Sequence, residues 1–178
     1  IRDSWLQAKD ENARAAFIVG KSADAQIDAQ VKEEAERHKD VLILEDHLES
    51  YRGIVVKTRA AFLWAFAGNG CDFMLKCDDD SYVHIKAMVE DLHELVASNP
   101  QAEHLYMGDF RMETAAIRDP TNKYWVSHEE WPETHYPLFA CGCGYVIGKG
   151  VGEFLLSPEG RKVMDFMLPI EDVTVGIW

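Results

Sequence analysis

The sequence predicts an α/β fold in which a mostly parallel central sheet is flanked by helices. Three times before residue 100, a short apolar run is followed by a segment with helical periodicity, the pattern of strand-helix-strand units. A second observation concerns Asp78, Asp79 and Asp80, which lie where one of these apolar runs gives way to a helical segment. In sheets of this kind, ligands bind just beyond the carboxyl ends of the strands.

The bulk properties are those of one globular domain, residues 1–178. Hydrophobic residues make up 47% and charged residues 28% of the 178 positions, which is ordinary for a soluble domain. The formal net charge of −13 disfavours nucleic acids and anionic membrane surfaces as partners. No apolar run approaches the ~20 residues that span a bilayer. Because the chain opens on Ile1 without an initiator Met, we expect it to be the catalytic part of a longer protein.

Each element is predicted from apolar runs, helical spacing and turn residues. The predicted strands cover residues 15–20, 40–44, 72–77, 104–108 and 141–147. The predicted helices cover residues 1–12, a segment through Ile27, Val31 and Ala35, a segment over 60–67 that Gly68-Asn69-Gly70 closes, and residues 83–97. Residues 111–121 are polar and irregular, and are expected to form a surface loop.

The three consecutive carboxylates repel one another, so they indicate either a solvated turn or a cation site. Hard oxygen ligands at the end of a buried strand suit Mg²⁺ or Mn²⁺, ions that are usually shared with the phosphates of a substrate. An EF-hand calcium loop is excluded. Counted from Asp78, that loop requires Gly at position six and Glu at position twelve, where this chain has Val83 and Val89.

Three further features suggest a sugar-binding cleft, each with a purely structural alternative. Aromatic residues crowd positions 124–139, and such rings stack on sugars or simply fill a core. Gly142 and Gly144 alternate within a strand, which lets a ligand or another backbone approach closely. Glu171 and Asp172 are adjacent acids that point in different directions, so at most one should face a given cleft. Their alternative role is to satisfy free N–H groups at a helix start.

The four cysteines leave the redox compartment open between buried thiols and one or two disulfides. Cys71 and Cys77 flank a predicted strand and lie about 20 Å apart if it is extended, too far to pair with each other. Cys141 and Cys143 share a strand face but are poorly placed to bond mutually, and a metal site at this pair lacks neighbouring ligands in the sequence.

Seven motifs in order resemble glycosyltransferase family 31, the β1,3-galactosyl- and β1,3-N-acetylglucosaminyltransferases related to fringe. They span nearly the whole chain, and each alone is common, but the ordered set is specific. The motifs are Ile1-Arg2-Asp3-Ser4-Trp5, Phe17 to Gly20, Asp40 through Tyr51 to Thr58, Lys76 to Val83, Lys123 through Tyr136-Pro137, Gly142 to Val146, and Glu171 to Gly176. This chain departs from the family in having Lys123-Tyr124-Trp125 where Lys-Trp-Tyr is usual, and Gly148 where Ser often stands.

The resemblance implies a GT-A fold and an inverting transfer of galactose or N-acetylglucosamine from a UDP-sugar to a hydroxyl of a glycan or glycoprotein, in β1,3 linkage. It implies Mn²⁺, or Mg²⁺, on Asp80, with Asp78 and Asp79 facing the nucleotide and Arg2 on the diphosphate. Asp172 is expected to be the base, with Glu171 second. The sugar cleft is expected to be lined by Trp125, Gly142, Gly144 and Tyr145. Two alternatives stay open: Arg2 forms an ordinary salt bridge, and the rings of Trp125 and Tyr145 belong to the core.

The resemblance also implies residence in the Golgi lumen, as a type II membrane protein whose anchor and stem are not in this chain. The family often places a histidine ligand beyond the Glu171 motif, past the end at Trp178. Three other classes of function stay open: a non-catalytic fringe-like sugar-binding module, a glycoside hydrolase with two carboxylates, and a metal-dependent phosphohydrolase.

Overall fold

The computed structural model describes residues 1–8 and 11–178, which form five strands and six α-helices joined by shorter turns. The strands are β1 (Phe17–Lys21), β2 (Val41–Leu48), β3 (Phe73–Cys77), β4 (Tyr106–Arg111) and β5 (Phe139–Gly148). The helices are α1 (Ala25–His38), α2 (Ile54–Phe62), α3 (Ile85–Ser98), α4 (Lys149–Leu156), α5 (Pro158–Val163) and α6 (Glu171–Ile177). A π-helical segment, Leu63–Gly68, continues α2.

The predicted α/β class is confirmed, but the five strands form a parallel pair and a separate antiparallel sheet of three rather than one mostly parallel sheet. Strands β1 and β2 pair in parallel, with Phe17 opposite Val41, around the crossover helix α1. Strand β5 lies between β3 and β4 and is antiparallel to both. The connection from β4 to β5 contains no helix among the described residues. Parallel neighbours need a long crossover connection, usually a helix, so the antiparallel pairing of β5 with β4 agrees with this connection.

Most element predictions agree with the structure, with shifted bounds. The helix predicted over residues 60–67 begins earlier, at Ile54, and the predicted loop after residue 111 holds two isolated β-bridges. Within the helix predicted over residues 1–12, the structure has one 3₁₀ turn at Trp5–Ala8, and residues 9 and 10 lie outside the described residues.

The core surrounds β5 and the last helix, where two clusters of buried side chains meet. The first joins α2 and its π-helical continuation to β3, β5 and α4, and its largest members are Phe62, Phe66, Tyr145, Ile147 and Leu155. The second holds the aromatic segment against α6, with Val126, Tyr136, Phe139, Leu168 and Val173. Helix α6 therefore packs against both clusters, and this packing fixes the position of its first residues.

All four cysteines are free thiols. The prediction that Cys71 and Cys77 do not pair with each other is confirmed. Burial raises the pKa of both thiols, which favours their protonated, unreactive form.

Candidate active site

The acidic turn follows β3, as the sequence predicts. The backbone turns back at Asp78–Ser81, where the Ser81 N–H donates to the Asp78 carbonyl at 3.2 Å. The Ser81 hydroxyl donates to the carbonyl of Cys143 at 2.8 Å, which ties this turn to β5. Asp78, Asp79 and Asp80 are all exposed, so a ligand can reach their carboxylates from solvent.

A wide bulge in β5 faces this turn. Gly108 of β4 pairs with Tyr145, and Phe110 pairs with Ala140, so Asp109 alone lies opposite the four residues 141–144. Extra residues in one strand bend it and break the ladder, and such bulges are frequent beside active sites. Here the bulge carries the Gly142-x-Gly144 motif toward the acidic turn and the start of α6.

Lys76 connects the acidic turn, the bulge and α6. Its Nζ lies 2.7 Å from a carboxylate oxygen of Asp78, 3.1 Å from one of Glu171, and 3.0 Å from the Gly142 carbonyl oxygen. Its side chain is only 14% exposed. Burial lowers the pKa of Lys76, but Glu171 and Asp78 outweigh that effect and raise the pKa above its ordinary value. The ammonium is therefore charged and held by anions on two elements.

Glu171 is a buried anion with three donors, and not a free base. It is 7% exposed, and besides Lys76 it accepts hydrogen bonds from the Tyr145 hydroxyl at 2.5 Å and the Thr58 hydroxyl at 2.9 Å. Buried charges are tolerated when they are paired and hydrogen-bonded in this way. The network joins α2, β3, β5 and α6, so Glu171 fixes the position of the residue that follows it.

Asp172 faces the bulge. One carboxylate oxygen accepts from the Gly142 N–H at 3.0 Å, and the other accepts from its neighbour Val173 at 2.9 Å. The second contact is the helix-terminal role that the sequence left open, whereas the first places Asp172 beside the glycine motif. A carboxylate offers about four lone-pair directions, so Asp172 retains acceptor capacity for a further proton donor.

An exposed aromatic pair lies in the same cleft lining as the acidic turn. The rings of Tyr51 and Tyr124 meet edge to face with centroids 6.1 Å apart, and Lys123 lies over both, at 5.5 and 4.6 Å. The pKa of Tyr51 is raised to about 12, mainly by burial and further by Tyr124, Asp172 and Asp78. Tyr51 is thus within electrostatic reach of both acids.

The acidic turn and this aromatic pair line the same large cleft, of about 1750 Å³, which runs between β1, β3 and α3. Among the described residues that line it, Asp78, Asp79, Asp80, Lys123 and Tyr124 form a rim of mixed charge. Asp172 is not in that lining, and its connection to the rim runs through Gly142 and Lys76.

Three of the predicted site residues have other surroundings than expected. Tyr145 is 1% exposed, so the core alternative is the correct one, because its hydroxyl serves Glu171. Trp125 packs on the guanidinium of Arg52 at 5.1 Å and is not among the residues that line the cleft. Arg2 is held by Asp40 through two hydrogen bonds of 2.7 Å and by Glu34 at 2.6 Å, so the structure shows the salt-bridge alternative.

The acidic turn fits a divalent ion that is bound jointly by the protein and by the phosphates of a substrate. No group of three or more His, Cys, Asp or Glu side chains within residues 1–8 and 11–178 is arranged to hold a metal by itself. Ions such as Mg²⁺, however, are commonly bound by one or two carboxylates together with the phosphates of a substrate. Asp79 and Asp80 are exposed carboxylates of this type, whereas one oxygen of Asp78 is engaged by Lys76.

Sequence reasoning assigned no role to Lys76, Thr58, Tyr51 or Tyr124. Lys76, Tyr51 and Thr58 stand within the recognised motifs, so their positions were visible but their contacts were not. Tyr124 was visible as the exchanged member of Lys123-Tyr124-Trp125. In the structure, the ring at position 124 is the exposed one.

The mixed α/β architecture, with an acidic turn at the end of a strand, is compatible with a GT-A-type glycosyltransferase fold. The sequence profile of one family, described as Galactosyltransferase, matches residues 1–178. The chain belongs to the Galactosyltransferase family.

Several characterised proteins are similar to this chain. The hydroxyproline O-galactosyltransferase GALT2 of Arabidopsis thaliana is 29% identical over 181 residues, covering 100% of this chain and 25% of that protein. The human UDP-GalNAc:beta-1,3-N-acetylgalactosaminyltransferase 2 is 33% identical over 151 residues, covering 85% of this chain and 28% of that protein. The mouse beta-1,3-galactosyltransferase 1 is 26% identical over 184 residues, covering 99% and 53%. The chain thus spans about a quarter to a half of these relatives.

None of the helices in the described part of the chain combines the length and the apolar character needed to cross a bilayer.

Proposed function

We propose that residues 1–178 are one catalytic domain that transfers galactose or N-acetylglucosamine from a UDP-sugar to a hydroxyl of a glycan or glycoprotein, in β1,3 linkage and with inversion. Family membership supports the reaction class, and the printed activities of the relatives are galactosyl and N-acetylgalactosaminyl transfer. The observation that carries the proposal is the Lys76–Gly142–Asp172 connection, which brings the acidic turn and a carboxylate with spare acceptor capacity to one region.

On the donor side, the exposed acids Asp79 and Asp80 would hold Mn²⁺ or Mg²⁺, and Asp78 would face the nucleotide. The ion would offset the charge that develops on the departing diphosphate, which an acidic protein of net charge −13 cannot do with its own surface. Lys123 is an exposed basic side chain at the rim, and its pKa is raised mainly by the hydrogen bond with Tyr124 and further by Asp78 and Asp80. It would contact the substrate's phosphates.

On the acceptor side, Asp172 would take the proton of the attacking hydroxyl. The acceptor oxygen forms a bond to the anomeric carbon as the bond from that carbon to UDP breaks, and UDP leaves with the electron pair. A positioned base of this kind contributes roughly 10²–10⁴-fold to the rate. Tyr51 and Tyr124, exposed in the cleft lining that they share with the acidic turn, would stack on the acceptor sugar.

The donor is tested by thermal shift of the full chain with UDP-galactose, UDP-N-acetylglucosamine, UDP-glucose and UDP-N-acetylgalactosamine, each with and without Mn²⁺. We expect a UDP-sugar to raise the melting temperature only when Mn²⁺ is present, and Asp80→Asn to abolish the shift. Asp91→Asn, at an exposed aspartate of α3, is the matched control and should keep it.

Transfer is then measured with radiolabelled donor and a panel of β-linked acceptors. Equal stabilisation without metal would contradict the metal-dependent mechanism. Cleavage of the UDP-sugar with no dependence on acceptor would instead indicate a phosphohydrolase, and release of free sugar from a glycan without nucleotide would indicate a glycoside hydrolase. Saturable sugar binding without turnover, unaffected by Asp80→Asn, would indicate a sugar-binding module.

Residence in the Golgi lumen through a type II membrane anchor also remains part of the proposal. It predicts that the longer protein carrying this chain co-sediments with Golgi membranes and resists extraction by high salt. Recovery of that protein in a soluble fraction would refute this part alone.

A further inference from the structure

The ammonium of Lys76 has all of its donors engaged by the two sides of the site. It contacts Asp78 on the acidic turn at 2.7 Å, the Gly142 carbonyl on the bulge at 3.0 Å, and Glu171 at the start of α6 at 3.1 Å. An ammonium has three N–H donors, and these acceptors can take one each.

Two routes lead from Lys76 to Asp172. Gly142 accepts from Lys76 through its carbonyl and donates to Asp172 through its own N–H, at 3.0 Å. Glu171 holds Lys76 through its carboxylate and precedes Asp172 in the chain. A shift of the ammonium would therefore move the acidic turn and Asp172 relative to each other.

We propose that Lys76 is a positioning residue that sets the distance between the acidic turn, which receives the UDP-sugar, and Asp172, which takes the acceptor's proton. This inference rests on the proposed function. An in-line displacement requires the hydroxyl, the anomeric carbon and the departing oxygen to be aligned, and a misplacement of about 1 Å can cost about 10²-fold in rate. Lys76 itself touches no reacting atom, so it acts only through the groups that it holds.

The competing explanation is that Lys76 merely neutralises Glu171. Removing one partner of a buried ion pair strands the other charge, whereas removing both charges is often neutral for stability. The single variant Lys76→Met would therefore confuse the two explanations. The double variant Lys76→Met/Glu171→Gln separates them, because it removes the stranded charge but does not restore the contact with Asp78.

The experiment compares the full chain carrying Lys76→Met, Glu171→Gln and the double change with wild type. Melting temperature, kcat per folded molecule and KM for the UDP-sugar are measured. Lys32→Met is the control, since Lys32 is an exposed lysine of α1 that does not line the cleft. It should change neither kcat nor the melting temperature.

We expect Lys76→Met to lower the melting temperature sharply and the double variant to recover it to that of Glu171→Gln alone. The double variant should still have a kcat about 100-fold below Glu171→Gln, with a much smaller change in KM. A kcat within threefold of Glu171→Gln would overturn the proposal, since charge neutralisation would then suffice. A double variant that fails to recover its melting temperature would also count against it. If wild type transfers no sugar to any acceptor, the proposed function fails, and this inference fails with it.

Discussion

Replacing Glu171 by Ala tests whether the buried network, and not the acidic turn alone, holds the site together. The change leaves the hydroxyls of Tyr145 and Thr58 without an acceptor, at residues that are 1% and 4% exposed. Each buried donor left unpaired costs about 1–3 kcal/mol. Lys76 loses one of its partners but keeps Asp78 and the Gly142 carbonyl, so its share is smaller than the full cost of breaking a buried pair.

Because these contacts belong to one network, their costs do not add fully. We expect Glu171→Ala to lower the free energy of unfolding by about 3–5 kcal/mol, a large part of the roughly 5–15 kcal/mol that stabilises a domain. Glu171→Gln keeps an acceptor for Tyr145 and Thr58 and loses only the charge, so it should cost about 1–2 kcal/mol.

Urea titration followed by tryptophan fluorescence and far-ultraviolet circular dichroism measures both values, with coincident transitions as the check on two-state unfolding. Glu153→Ala is the matched control, because Glu153 is 63% exposed and its change should stay within about 0.5 kcal/mol of wild type. A cost for Glu171→Ala below about 1 kcal/mol would refute the reasoning, since the network would then contribute no more than an average surface residue.

Two further predictions concern the ion pair of Arg2 with Asp40 and the exposed ring of Tyr124. The hydrogen bonds from Arg2 hold the pKa of Asp40 below its ordinary value of 3.8, so their stabilisation is present above that pH and is lost as the pH falls through the lower, folded-state pKa. Asp40→Asn should therefore cost about 1 kcal/mol at neutral pH, and its difference from wild type in urea titrations should vanish in acid; a difference that persists there would contradict the pairing. Tyr124→Ala removes one stacking contact, so it should raise the acceptor KM about tenfold and leave the affinity for UDP unchanged. Trp125→Ala should leave the acceptor KM unchanged. If steady-state kinetics show the reverse pattern, Trp125 is the sugar contact.

The sequence predicted the acidic turn because local signals specify it. An apolar run, three carboxylates and an amphipathic helix are each visible in one stretch around Asp78–Asp80, and the structure keeps that order. The bounds of most strands followed from the same kind of signal. What failed was the direction of pairing, since β5 is antiparallel to both neighbours. Strand direction depends on how the irregular segment between β4 and β5 returns, which no local pattern specifies.

The contacts of the site could not be predicted, because they join residues far apart in the chain. The sequence predicted that Tyr145 lines the sugar cleft. Its hydrogen bond to Glu171 in the structure shows why a tyrosine is needed inside the core. Lys76 belongs to a recognised motif, but its three acceptors come from three different elements. Trp125 and Tyr124 differ by one position, and the packing of Trp125 on Arg52 decides which ring remains at the rim.

The adjacent acids of α6 should show opposite variant phenotypes. The rule that neighbouring residues point in different directions predicts that only one of them faces the cleft. Glu171 is buried among its donors, whereas Asp172 is half-buried and, within residues 1–8 and 11–178, accepts hydrogen bonds from the N–H groups of Gly142 and Val173. Asp172→Asn keeps an oxygen for one of those groups, so stability should fall by only about 1 kcal/mol, whereas kcat should fall roughly 10²–10⁴-fold.

Glu171→Gln should do the reverse, losing stability while the folded fraction keeps most of its turnover. The comparison uses kcat per folded molecule, with the folded fraction taken from circular dichroism at the assay temperature. If Asp172→Asn keeps its turnover while folded Glu171→Gln loses it, the base is Glu171. The network of Tyr145, Thr58 and Lys76 would then have to open during the reaction, because these three donors occupy the carboxylate oxygens of Glu171.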